Sequence, residues 1–144
     1  MATTRLISGI FQEIEKTTGR KEKIKLLQSY ESNQAFMKIL EAVCDVRVIF
    51  ELPEGNPPYN TPDDMVDNVA GLYQEVRKLY VFTKNAKSQN IHSIKRERIF
   101  IEMLESIHPD DAKLMLSVKD KKLPYKGITT KLVKEAFPDR FKYE

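Results

Sequence analysis

From Leu6 to Phe137 the apolar residues of this chain recur at intervals of three and four, and that spacing leaves little room for any fold but a helical one. Leu6, Ile7, Ile10, Phe11 and Ile14 line one face of a first helix, which Gly19 is placed to end by taking a left-handed conformation. Ile24, Leu27 and Tyr30 mark a second. Phe36, Leu40, Val43 and Cys44 mark a third, with Ser32 or Asn33 able to cap its free amides. Thr61, Pro62, Asp63 and Asp64 form a helix start, and the apolar positions from Met65 to Tyr80 predict one long helix behind it, the central pillar of the fold. Phe100, Met103, Leu104 and Ile107 share a face of the next helix, with Arg96 and Glu97 pointing elsewhere. His108 to Asp111 restart the chain as a helix N-terminus, and Thr129 or Thr130 caps a last helix that buries Leu132, Val133, Ala136 and Phe137.

Two stretches break the pattern. Between Asp45 and Leu52 the sequence VRVIFEL alternates instead, which predicts a short extended segment. PEGNPPYNTP follows with four prolines in ten residues, and proline's missing donor and fixed φ exclude helix and central strand there. The reading is a single all-α, mostly helical domain over residues 1–144, with about six to seven helices. Residues 1–52 form its N-terminal helical part, 53–62 a proline-rich surface loop and 63–144 its C-terminal helical part. Five glycines and no tryptophan fit this better than an all-β fold. No apolar run approaches the roughly 20 residues of a membrane span, and the first residues meet acids too early for a secretory signal, so a cytoplasmic location is expected. The single cysteine, Cys44, cannot make an internal disulfide, which suits a reducing compartment.

The charge is unevenly spread. From Lys119 to Lys134 there are six lysines against Asp120 alone, a local balance of +5. A second run, Lys84 to Arg98, carries +4, so the net +3 of the whole chain leaves −6 for everything else. Clustered cations of this kind are the electrostatic footprint of a nucleic-acid binder, although solvated surface lysines neutralised by the acid-rich remainder give the same count. Chemistry is harder to find. His92 and His108 lie 16 residues apart and no second cysteine exists, so zinc lacks spaced ligand pairs. Asp63–Asp64 and Asp110–Asp111 suit helix first turns better than a magnesium site. There is no phosphate-binding glycine-rich loop of the Walker type. The expectation is a protein with no catalytic residue, no metal and no cofactor. Tyr73 and Tyr80, seven apart on the long helix, read as core, while Tyr125 between Pro124 and Lys126 is the tyrosine best placed to touch nucleic acid.

The order of elements carries a resemblance. The stretch IFQEIEKTTGRKEKIKLLQSYESNQAFMKILEAVCD, an interrupting loop, a long helix and then LESIHPDDAKLMLSVKDKKLPYKGITTKLVKEAFP resembles the N-terminal DNA-binding domain of bacteriophage-type ATP-dependent DNA ligases. The similarity lies in pattern over nearly the whole chain, above all in a helix, a basic glycine turn, a capped helix and a closing proline between Leu116 and Pro138. It implies that Lys121, Lys122, Lys126 and the Gly127 amide approach a phosphate backbone, with Lys131 on the adjoining helix. It does not bring ligase chemistry. Adenylation requires a nucleophilic lysine in Lys-x-Asp-Gly, and VKDKK has neither that spacing nor the glycine.

These readings combine into an expected function: a non-catalytic, phage-type accessory protein that grips double-stranded DNA by its phosphates with little sequence specificity. The contact residues would be Lys84, Lys87, Lys95, Arg96, Lys119, Lys121, Lys122, Tyr125, Lys126, Gly127, Lys131 and Lys134. The alternative is a helical module that binds a phage or host protein, using the same basic zones against an acidic surface. Phosphate contacts supply affinity rather than readout, and no helix carries the Arg, Asn or Gln cluster that base reading needs.

Overall fold

The computed structural model describes residues 6–53, 57–59 and 70–143. Among them seven α-helices follow one another: α1 (Ile7–Lys16), α2 (Arg20–Ser29), α3 (Gln34–Cys44), α4 (Ala70–Glu75), α5 (Ser93–Ser106), α6 (Pro109–Lys119) and α7 (Thr130–Ala136). The fold is all-α, as the periodicity requires. One hydrophobic core joins every helix, with Phe11, Phe36, Phe82 and Phe100 its largest fully buried side chains. Phe11 meets Phe36 at 4.9 Å between ring centroids, and Phe82 meets Phe100 edge-on at 5.2 Å, separations at which aromatic pairs add to simple burial.

Several starts and stops are those the sequence advertises. The Asn33 side chain accepts from the Phe36 amide and Thr129 from Leu132, each satisfying a free donor of a first turn. His108 does the same for α6, its Nδ1 accepting from the Asp110 amide at 3.1 Å. Gly19 has the positive φ expected of it, +95°, but α1 has already ended at Lys16 and the glycine stands instead at the N-cap of α2.

Two elements differ from the sequence reading. The helix expected to run to Tyr80 is α-helical only to Glu75 and continues as a 3₁₀ segment, Val76–Phe82. Its tighter turn puts residues three apart on one line, so Val76, Leu79 and Phe82 are buried while Tyr80 is left 47% exposed rather than in the core. Thr61 to Asp64, Met65, Val66 and Val69 lie outside the described residues, as does most of the 53–62 loop. The 45–52 stretch is not extended throughout: Val46 and Arg47 form a turn, closed by Val48 N–H to Asp45 O at 3.1 Å, and only the residues beyond it reach a pairing partner, without joining a sheet. Its one ladder contact is an isolated antiparallel bridge, Phe50 to Thr83, closed by Glu51 N–H to Phe82 O at 2.7 Å and Lys84 N–H to Ile49 O at 2.8 Å.

Candidate functional site

The lysine turn between α6 and α7 is built from the end of α6 outward. Lys122 N–H donates to Ser117 O at 2.9 Å and Lys121 N–H to Val118 O at 2.8 Å, the paired bonds of a Schellman motif. The position that motif usually gives to glycine is held here by Lys121, at φ +61°. Its ammonium explains the choice of residue, donating to Asp45 O and Val48 O, both at 2.8 Å, and so tying the 45–52 segment to the end of α6. Burial drives the Lys121 pKa below its ordinary value, only partly countered by the thiol and carboxyl of Cys44 and Asp45.

Lys119 is spent in the same way. It is 4% exposed, and its Nζ bonds to Pro53 O at 3.1 Å and to the Asp120 carboxylate at 2.7 Å. Tyr125 lies flat on Phe11, the rings 5.1 Å apart and 4° from parallel, and burial drives its phenol strongly upward. Arg96, in the second basic run, is buried, where it donates to Val81 O, Ser88 O and Ile91 O and holds the 83–91 loop against α5. Four of the expected contact residues are therefore corrected: Lys119, Lys121, Tyr125 and Arg96 bind the protein's own backbone or core. In each case a carbonyl or ring of the protein itself gave the side chain a better-defined partner than solvent.

The remaining cations fall into three groups. Lys122 and Lys126 are exposed on the turn beside Gly127, whose φ of +80° is a left-handed conformation that glycine takes freely and a β-carbon strains. The turn is pinned by Lys126 N–H, which donates to the Glu15 carboxylate at 2.6 Å, and by buried Ile128. α2 then packs along α7 and brings its own charge to the turn. The Lys23 ammonium stands over Gly127 where a β-carbon would be, and Arg20 pairs closely with Glu135 on α7. The sequence reading missed this. Arg20, Lys21, Lys23 and Lys25 sit in one short stretch of α2, but nothing in their spacing says which distant turn they join.

Lys131 and Lys134 line instead an open groove of about 1200 Å³ between α7, the α6–α7 turn and the 45–52 segment. Cys44 lines it, buried, with its thiol pushed up to about 11 by that burial. Lys134 lies 5.9 Å from the centre of the Tyr143 ring. Lys84, Lys87 and Lys95 are exposed around the 83–91 loop, Lys87 over the Tyr80 ring at 5.8 Å. Among the described residues no group of three or more His, Cys, Asp or Glu could hold a metal ion, and no helix is long and apolar enough to cross a membrane.

These features define a small all-α domain in which a pinned glycine turn and the helix packed beside it carry one cluster of accessible cations, with others in the groove and around the 83–91 loop. The chain belongs to DUF6433, a family of unknown function, which it matches over residues 10–125. That match runs from within α1 to the tyrosine of the turn, leaving α7 beyond it. Neither the curated proteins nor the solved structures contain a match.

Proposed function

We propose that the chain is a non-catalytic accessory protein that binds double-stranded DNA through phosphate contacts at the turn between α6 and α7, with Lys23, Lys122, Lys126 and the Gly127 backbone as the gripping groups. The observation that carries the reading is the Lys23 ammonium over Gly127, 104 positions away in the chain, beside the exposed Lys126. The missing side chain of Gly127 leaves room for the Lys23 ammonium beside Lys126, so a phosphate at this turn meets cations from two elements. The likeness to ligase N-terminal domains points the same way, and a phage-type setting belongs to the same proposal. Arg20 serves this face indirectly, by holding α2 against Glu135.

The reading is tested by titrating duplex DNA at two salt concentrations with wild type and with Lys23→Glu/Lys126→Glu. The double variant should bind at least about tenfold more weakly at low salt, with a salt slope lower by roughly two, one for each phosphate no longer neutralised. Unchanged affinity with an unchanged helical circular dichroism would remove this face from consideration. Lys121 and Lys119 are unsuitable for such a test, because their replacement disturbs the fold itself.

A further inference from the structure

The groove that holds Lys131 and Lys134 has a chemistry unlike the phosphate face. The wall formed by residues 46–52 presents Val46, in the turn after α3, at 40% and Ile49 at 53% exposure, two of the three large aliphatic side chains exposed among the described residues, with Val48 and Leu52 half-buried beside them. The opposite wall is α7, with its two lysines. Asp120 and Glu135 also line the groove, but each already has a cation, Lys119 and Arg20 respectively. The charge left over is positive, above an apolar wall.

The backbone adds a third element. In the Phe50–Thr83 bridge the hydrogen bonds run through the residues on either side of the bridging pair, so the N–H and C=O of Phe50 turn to the opposite edge of the segment. The Val48 carbonyl also faces that edge, where it accepts from Lys121, one of the residues lining the groove. The segment thus turns one N–H and one C=O, those of Phe50, to this edge, beside a Val48 carbonyl already taken by Lys121.

We propose that this groove docks an extended, acidic peptide segment of a partner protein, whose apolar side chains pack on Val46 and Ile49, whose carboxylates meet Lys131 and Lys134, and whose backbone pairs with Phe50. Main-chain bonds at Phe50 add affinity, and the apolar and acidic side chains together supply selectivity. The charge left uncompensated on α7 sets the sign of the partner. A nucleic-acid strand fits this surface less well, because the side chains it exposes most, Val46 and Ile49, are aliphatic, while the aromatics that line it, Phe50 and Tyr143, are half-buried. Tyr143, the aromatic at the rim, is engaged through its hydroxyl, which donates to Phe137 O at 2.7 Å.

The test is fluorescence anisotropy of the full chain with a labelled pool of short peptides alternating Glu or Asp with Val, Ile or Leu. A pool with serine at every apolar position is the control. Wild type should bind the alternating pool and not the serine pool. Lys131→Ser/Lys134→Ser and Val46→Ser/Ile49→Ser should each weaken binding by roughly tenfold or more, the usual cost of truncating central interface residues. Lys23→Glu/Lys126→Glu should bind the peptides as wild type does, which separates this groove from the DNA-binding face whatever becomes of that proposal. Equal binding of the serine pool would reduce the groove to a polyanion-attracting surface. Displacement of the peptides by a single-stranded oligonucleotide would reassign it to nucleic acid. No binding to wild type, or variants that bind unchanged while keeping their circular dichroism, would also overturn the proposal.

Discussion

At the scale of the residue, Lys121 shows how a cation in a basic turn can belong to the fold. A non-glycine residue at φ +61° stores strain of about 1 kcal/mol or more, and the bonds from its Nζ to Asp45 O and Val48 O offset it. The two contributions separate by mutation. Lys121→Met keeps the strained backbone and removes the ammonium, leaving both carbonyls without this donor, and should cost about 1–3 kcal/mol. Lys121→Gly loses the same bonds but relaxes the backbone, so it should unfold at a higher urea concentration than Lys121→Met. Urea titration of both variants checks the order. If the methionine variant were the more stable, the left-handed strain would not be part of the account.

At the scale of the element, the α6–α7 turn works as a unit because each end is anchored to α1 or α2: Tyr125 on Phe11, the Lys126 amide on Glu15, Gly127 beneath Lys23. Either a left-handed backbone or a close phosphate would explain a glycine at 127, and its φ of +80° supplies the first reason. Gly127→Ala should therefore lower stability by about 1 kcal/mol or more, read as a lower urea midpoint at unchanged slope. The displaced Lys23 end is flexible and adds little. An alanine variant as stable as wild type would show that the turn can reach a negative φ without loss. Periodicity made α1, α3, α5 and α6 legible from the sequence, and side-chain chemistry made the caps at Asn33, His108 and Thr129 legible. It could not reveal the change to 3₁₀ at Val76, because apolar residues three apart satisfy both helix types. Nor could alternation in VRVIFEL say that the segment would pair through one bridge, since pairing depends on a partner 33 residues later.

At the scale of the molecule, the site was legible as a count of charges and not as an arrangement. Ten of the twelve expected contact residues are cations, yet the structure takes Arg96, Lys119 and Lys121 inward and parts Lys126 from Lys131 and Lys134. The same long-range ties give stability a pH dependence with two opposed limbs. Asp45 is buried and accepts from the amides of Arg47 and Lys142 and from the Arg47 guanidinium, joining the end of α3 to the C-terminal tail. The Arg47 side chain, foremost among these, holds its carboxyl well below the usual range. A depressed carboxylate contributes stability that is present above the unfolded pKa of about 3.9 and is lost as pH falls through the folded value. Asp111 has the opposite sign. It is fully buried, its Oδ1 accepts from the Ser8 amide at 3.0 Å to cap α1 from α6, and its Oδ2 and the Ser8 hydroxyl have no partner among the described residues. Burial raises its pKa, so folding favours the protonated form, and the stability it contributes is complete in acid and lost as pH rises from about 3.9 through the folded value. Asp111→Asn keeps an acceptor for the Ser8 amide and adds a donor for the Ser8 hydroxyl without a charge to bury. Thermal melts at a series of pH values should show this variant gaining about 1 kcal/mol at pH 7, or roughly 2–4 °C in Tm, while losing the downward slope above pH 4. Asp45→Asn should melt lower than wild type at pH 7 and lose part of the acid limb. An Asp111→Asn variant less stable than wild type at neutral pH would mean that the dipoles of α1 and α6 hold the carboxylate ionised after all.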